Sequence, residues 1–98
     1  MILLYYNANA QSKLTWRITD KVTGETIIGA TVYFPDLKTG TASDTSGVYK
    51  IINLPKTTTL LQVGFVGYKT IIRKVDLSVT KSMDFAMERM LSGEYPAE

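Results

Sequence analysis

The chain has no cysteine and no histidine among its 98 residues. Without cysteine there is no disulfide staple and no thiolate nucleophile. An oxidising compartment is not thereby excluded. Without histidine the commonest general base and the commonest metal ligand are both missing. A nucleophile–histidine–carboxylate triad and a zinc site of Cys and His are ruled out together. No apolar run approaches the roughly 20 residues that a membrane-spanning helix needs. Basic residues are not clustered either. Lys and Arg fall singly along the chain and the net charge is only +2. A nucleic-acid partner would call for a basic face, so none is expected.

What is present is ordinary globular material. The apolar fraction is 45% and the charged fraction 20%, which argues against disorder and for one modest core in one domain. No helical period persists beyond a turn. Short stretches alternate instead, which is the mark of half-buried strands.

Leu14, Trp16 and Ile18 alternate with Thr15, Arg17 and Thr19 in the first of these, over residues 13–20. Sharing a face with Leu14 and Ile18 favours core or rim packing for Trp16. A ligand-stacking platform is the alternative. A turn at residues 21–25 follows, with Gly24 free to take a positive φ. In residues 26–34, Ala30, Val32 and Phe34 point one way while Thr31 and Tyr33 point the other. Pro35, which has no N–H to donate, ends that strand. Tyr33 stands exposed, suited to cross-strand packing or to stacking on a sugar ring.

Residues 41–43 form a short polar strand. Asp44-Thr45-Ser46-Gly47 reads as a tight Asx turn rather than a calcium loop, because Asp44 is its one carboxylate. The next strand, residues 48–54, puts Tyr49 and Ile51 on one face. Residues 57–66 carry the strongest β signal, with Leu61, Val63 and Phe65 alternating against Leu60, Gln62 and Gly64. Phe65→Ala is therefore expected to cost about 3–5 kcal/mol. After a corner at Val66-Gly67-Tyr68 comes a strand to Asp76, where adjacent Ile71 and Ile72 suggest a bulge or a segment covered on both faces. Residues 77–81 read as a turn. In residues 82–87, Met83, Phe85 and Met87 face the core. From Glu88 onward the pattern is lost.

About seven short strands at this spacing imply an all-β fold, a seven-stranded antiparallel β-sandwich. No catalytic constellation emerges. Asp20, Glu25, Asp36, Asp44, Asp76 and Asp84 read mostly as solvated turn or strand-end carboxylates. Gly64-Phe65-Val66-Gly67 is no phosphate loop, since no helix follows it. No catalytic, metal or cofactor-binding residue is assigned, and no cofactor is expected. The aromatic residues that could meet a ligand are Trp16, Tyr33 and Tyr68.

The N-terminus has its own grammar. Met1-Ile2-Leu3-Leu4-Tyr5-Tyr6 is a short apolar run, and Ala8-Asn9-Ala10 has the small-residue spacing of a signal-peptidase site. Residues 1–10 are read as the tail of an export signal, cut before Gln11. An apolar edge strand or tag-like end is the plainer alternative. Residues 11–88 form the domain, and residues 89–98 a linker to a region beyond.

The ordered set of turns adds a resemblance. Thr23-Gly24-Glu25, Gly29-Ala30-Thr31-Val32, the run from Thr41 through Asp44, Gly47 and Tyr49, Leu54-Pro55, and Val66-Gly67-Tyr68-Lys69 together resemble the carboxypeptidase-regulatory-like domain. That family has a transthyretin-like (prealbumin-like) sandwich fold. Ile28 stands where the family usually carries proline. The resemblance implies a non-catalytic module. In Bacteroidetes-type bacteria such a module commonly precedes the plug and barrel of TonB-dependent outer-membrane receptors, SusC-like glycan importers among them. It further implies an exported domain at the periplasmic face of the outer membrane, with a protein partner there and no membrane contact of its own. The alternative is a carbohydrate- or peptide-binding module of a secreted or surface protein.

Overall fold

Leu61 and Val63 are fully buried while Leu60 on the same strand is 41% exposed, so the alternation read from the sequence becomes a sheet with one apolar face. The computed structural model describes residues 11–91. Seven strands run in order: β1 Gln11–Asp20, β2 Thr31–Phe34, β3 Thr39–Ala42, β4 Val48–Pro55, β5 Thr58–Gly64, β6 Ile71–Asp76 and β7 Phe85–Met87. They form a three-stranded sheet, β4-β1-β7, and a four-stranded sheet, β3-β2-β5-β6. The fold is the all-β, transthyretin-like sandwich.

The two inner faces meet in one core. Leu14 and Ile18 of β1, Tyr49, Ile51 and Leu54 of β4, and Phe85 and Met87 of β7 face Val32, Phe34, Leu61, Val63 and Val75 of the other sheet. Tyr49 and Phe85 pack with ring centroids 5.9 Å apart. The Tyr49 hydroxyl, buried with its ring, donates to the Met83 carbonyl at 2.7 Å. Burial pushes that phenol's pKa up, so it stays a donor.

Among the described residues all ladders are antiparallel except one. β7 runs parallel to β1, with Ile18 opposite Phe85 and Asp20 opposite Met87. The chain reaches β7 by crossing from β6 in the other sheet. Such a crossover permits a parallel pair, which a hairpin does not. β4 carries a bulge: Ser12 pairs with Leu54 and Leu14 with Ile51, so two residues of β4 oppose one of β1. Asn53 takes the left-handed conformation there, φ +60°. The bulge shifts the inward phase, and Leu54 follows Tyr49 and Ile51 into the core.

Several expectations are corrected. Trp16 does not share the buried face of Leu14 and Ile18; it is 48% exposed. The backbone leaves regular extended geometry at this residue, φ +152°, and the indole turns outward. The second strand begins at Thr31, not residue 26. Phe65 lies just beyond the end of β5 and packs only half-buried against the core. No bulge interrupts β6, whose register with β5 is continuous from Ile71 to Asp76. Ile72 faces solvent at 54% exposure. Leu77 does lie in the turn read there, but its side chain is fully buried. Its N–H donates to the Thr57 carbonyl, and its own carbonyl accepts from the Ser12 hydroxyl. The chain does not leave the domain at Glu88, because Met90 N–H donates to the Gly67 carbonyl at 2.9 Å. The signal-like run at residues 1–10 lies outside the described residues, as does the end of the expected linker.

Candidate functional site

Asp20 closes β1, and its side chain is 2% exposed. A carboxylate so placed must be answered by donors or lose its charge. Four answer it. One oxygen accepts from the Val22 and Thr23 amides at 2.8 and 3.0 Å. The other accepts from the Tyr68 hydroxyl and from Arg89 Nε, each at 2.7 Å. The turn forms because Gly24 takes φ +77° and donates its N–H to the Asp20 carbonyl. Tyr68 is brought in by the corner after β5, and Arg89 by the segment after β7, which bridges Tyr68.

These bonds decide the protonation states. The Tyr68 hydrogen bond, then the Thr23 amide and the Arg89 guanidinium, hold the Asp20 carboxyl far below the usual carboxylate range. The hydrogen bond to Asp20 raises the Tyr68 phenol, with burial adding to it. Arg89 is raised by the same contact. At neutral pH the cluster neither takes nor gives a proton. It is a clasp between three distant segments and has none of the poise of an acid–base pair. Residue-by-residue reading missed it, because Asp20 looked like a solvated turn carboxylate and Arg89 like linker. Its members are 48 and 69 positions apart, and no local pattern links them.

The three ligand candidates are not gathered into one site. Trp16 stands on β1 of the three-stranded sheet, with the Arg17 guanidinium 5.8 Å from its ring centre. Tyr68 is pinned by its hydroxyl. Arg89 lies over its ring at 5.8 Å, and Phe65 packs tilted against it at 5.9 Å, so little of the ring is left for stacking. Tyr33, 41% exposed, stands on the outer face of the four-stranded sheet. It borders a hollow of about 500 Å³ lined by residues of β2, β3 and β5 and by Thr70. Among the described residues no group of three acidic side chains could hold a metal ion. Asp44 makes the expected Asx turn, its carboxylate accepting from the Ser46 and Val48 amides at 2.8 and 3.0 Å.

Comparison with known proteins settles the family. The model of the CarboxypepD_reg-like domain matches residues 15–93. This chain is a CarboxypepD_reg-like domain. The regulatory-like family is non-catalytic. Two solved structures share the domain's fold. Hydroxyquinol 1,2-dioxygenase from Pseudomonas putida DLL-E4 superposes with a TM-score of 0.65 at 12% identity, over 86% of this chain and 58% of that one. The Bacillus anthracis TIE protein superposes with a TM-score of 0.54 at 18% identity, over 82% of this chain and 17% of that one. The CarboxypepD_reg-like domain thus spans little more than half of one neighbour and a sixth of the other, and at these identities the likeness is one of fold alone. No match is found among curated proteins.

Proposed function

We propose that this CarboxypepD_reg-like domain is a non-catalytic accessory module at the N-terminus of a TonB-dependent outer-membrane receptor. It would be exported, sit at the periplasmic face, and act through protein–protein contacts or assembly. The observation that carries the reading is the family match over residues 15–93, nearly all of the described chain. The geometry is compatible with it. Asp20, the most buried carboxylate among the described residues, is spent on holding segments together, and no helix among them is long and apolar enough to cross a membrane.

Contact can be made through the sheet edges. β3 and β6 bound the four-stranded sheet, and an edge strand presents backbone donors and acceptors to an added strand. The partner is the plug or barrel of the same polypeptide, or another envelope protein. Reading the gene beyond Glu98 tests this directly. A plug followed by barrel-like strands of roughly ten alternating residues is expected. An open reading frame with neither overturns the proposal. In the parent receptor, deletion of the module is expected to leave the barrel assembled and to lower uptake.

A further inference from the structure

The hollow beside Tyr33 has a chemical character of its own. Cross-strand pairing sets Gly40 on one side of Tyr33 and Gln62 on the other. It also sets Gly64 opposite Thr31. The two glycines leave the sheet bare there, and the surrounding side chains stand above it as walls. The Tyr33 ring leans over Gly40: a Cβ at position 40 would lie 2.9 Å from Tyr33 Cδ1 and 2.8 Å from the Val32 carbonyl oxygen. A side chain at 40 would therefore displace the ring. Neither the Gln62 amide nor the Thr70 hydroxyl has a hydrogen-bond partner among the described residues. The Thr31 hydroxyl makes one long bond, 3.2 Å, to the Gly64 carbonyl. No Lys, Arg, Asp or Glu lines the hollow. A second hollow, of about 460 Å³ bordered by Phe65 and Val66, shares Thr31, Gly64 and Thr70 with the first. The two form one trough across the strands.

We propose that this trough binds a neutral oligosaccharide, with one sugar ring stacked on Tyr33 and its hydroxyls bonded to Gln62 and Thr70. An exposed aromatic ring offers an apolar face to the C–H side of a pyranose. An amide and a hydroxyl both donate and accept, as sugar hydroxyls do. An ionic ligand would find no counter-charge in this lining. A purely apolar one would strip water from Gln62 and Thr70 without replacing its bonds. The trough lies on the sheet's face, whereas a peptide adding as a strand reads the backbone of the β3 edge. The proposal goes beyond the receptor reading and stands or falls independently of it.

The test is amide-resolved NMR titration of the full 98-residue chain with the neutral hexasaccharides maltohexaose, xylohexaose and mannohexaose. A galacturonate hexasaccharide serves as charged control, and an uncharged extended peptide as strand control. At least one neutral sugar is expected to shift Tyr33, Gly40 and Gln62 with a Kd on the order of 1 mM. Tyr33→Ala should weaken binding at least tenfold, Gln62→Ala severalfold, and Tyr33→Phe and Trp16→Ala scarcely at all. Tyr33 and Gln62 face outward, so the variants' unchanged spectra elsewhere will report an intact fold. Silence with all three neutral sugars overturns the proposal. So do equal binding by Tyr33→Ala, shifts centred on Trp16, preference for the charged sugar, or shifts along β3 with the peptide alone.

Discussion

Asp20 spends all its acceptor capacity on four donors from three parts of the chain, and this sets its response to pH. Its folded-state pKa lies below the ordinary 3.8, so the folded form holds the proton less tightly than the unfolded form. The stabilisation is therefore complete above about pH 4, shrinks as pH falls below that, and is lost at the folded pKa. Thermal melts between pH 2 and 7 should show wild type losing more on acidification than Asp20→Asn, which starts from a lower Tm at neutral pH. Parallel curves would mean that the clasp carries no linkage. The aromatic residues divide in the same way. Phe85 is 1% exposed and packs on Tyr49, so Phe85→Ala should cost about 3–5 kcal/mol. Phe65 is only half-buried, so Phe65→Ala should cost about 1–2 kcal/mol, in line with partial loss of burial. Urea denaturation of the two variants checks the order, and equal midpoints would contradict it. Alternation correctly assigned Phe65 its face. It could not show that the strand stops at Gly64 and leaves the ring at the rim.

At the level of the element, turns separate what glycine does for backbone from what it does for packing. Gly24 and Gly47 both take positive φ, +77° and +74°, but only Gly47 is crowded. A Cβ at 24 would meet nothing within 4 Å, whereas one at 47 would lie 2.6 Å from Thr26 Cβ and 3.0 Å from the Ile18 carbonyl oxygen. Gly24→Ala should therefore cost only the left-handed backbone term, about 1–2 kcal/mol. Gly47→Ala should cost more, because the turn after Asp44 must also move off β1. Calorimetry on the pair tests this, and a Gly47→Ala midpoint at or above that of Gly24→Ala would refute it. Both turns were legible as local chemistry. The crowding was not, since Thr26 and Ile18 lie far from Gly47 in the chain. Trp16 teaches the same lesson on a strand. Its period-two position pointed inward, and one irregular backbone angle turned it out.

Across the whole molecule, β1 is the centre of its sheet, with β4 on one side and β7 on the other. The segment after β7 is bound in turn to the end of β1 through Arg89. A chain ended at Glu88 should consequently melt several degrees below one ended at Leu91, and Arg89→Ala in the full chain should reproduce much of that loss. Identical melts would show that the domain ends where the alternation does. The amino-acid sequence alone determined the fold class, the inward sets of β2, β5 and β7, and the turns at Asp44 and Gly24. Each of these depends on period-two burial or on torsions that a few neighbouring residues decide. It also determined the family, through the order of its turns. Only the tertiary structure decided the parallel pairing of β7, the outward turn of Trp16, the Asp20–Tyr68–Arg89 clasp and the trough beside Tyr33. All but the turn of Trp16 arise where segments distant in the chain meet, and which partner a strand or a carboxylate finds is a property of the closed sandwich rather than of any local pattern.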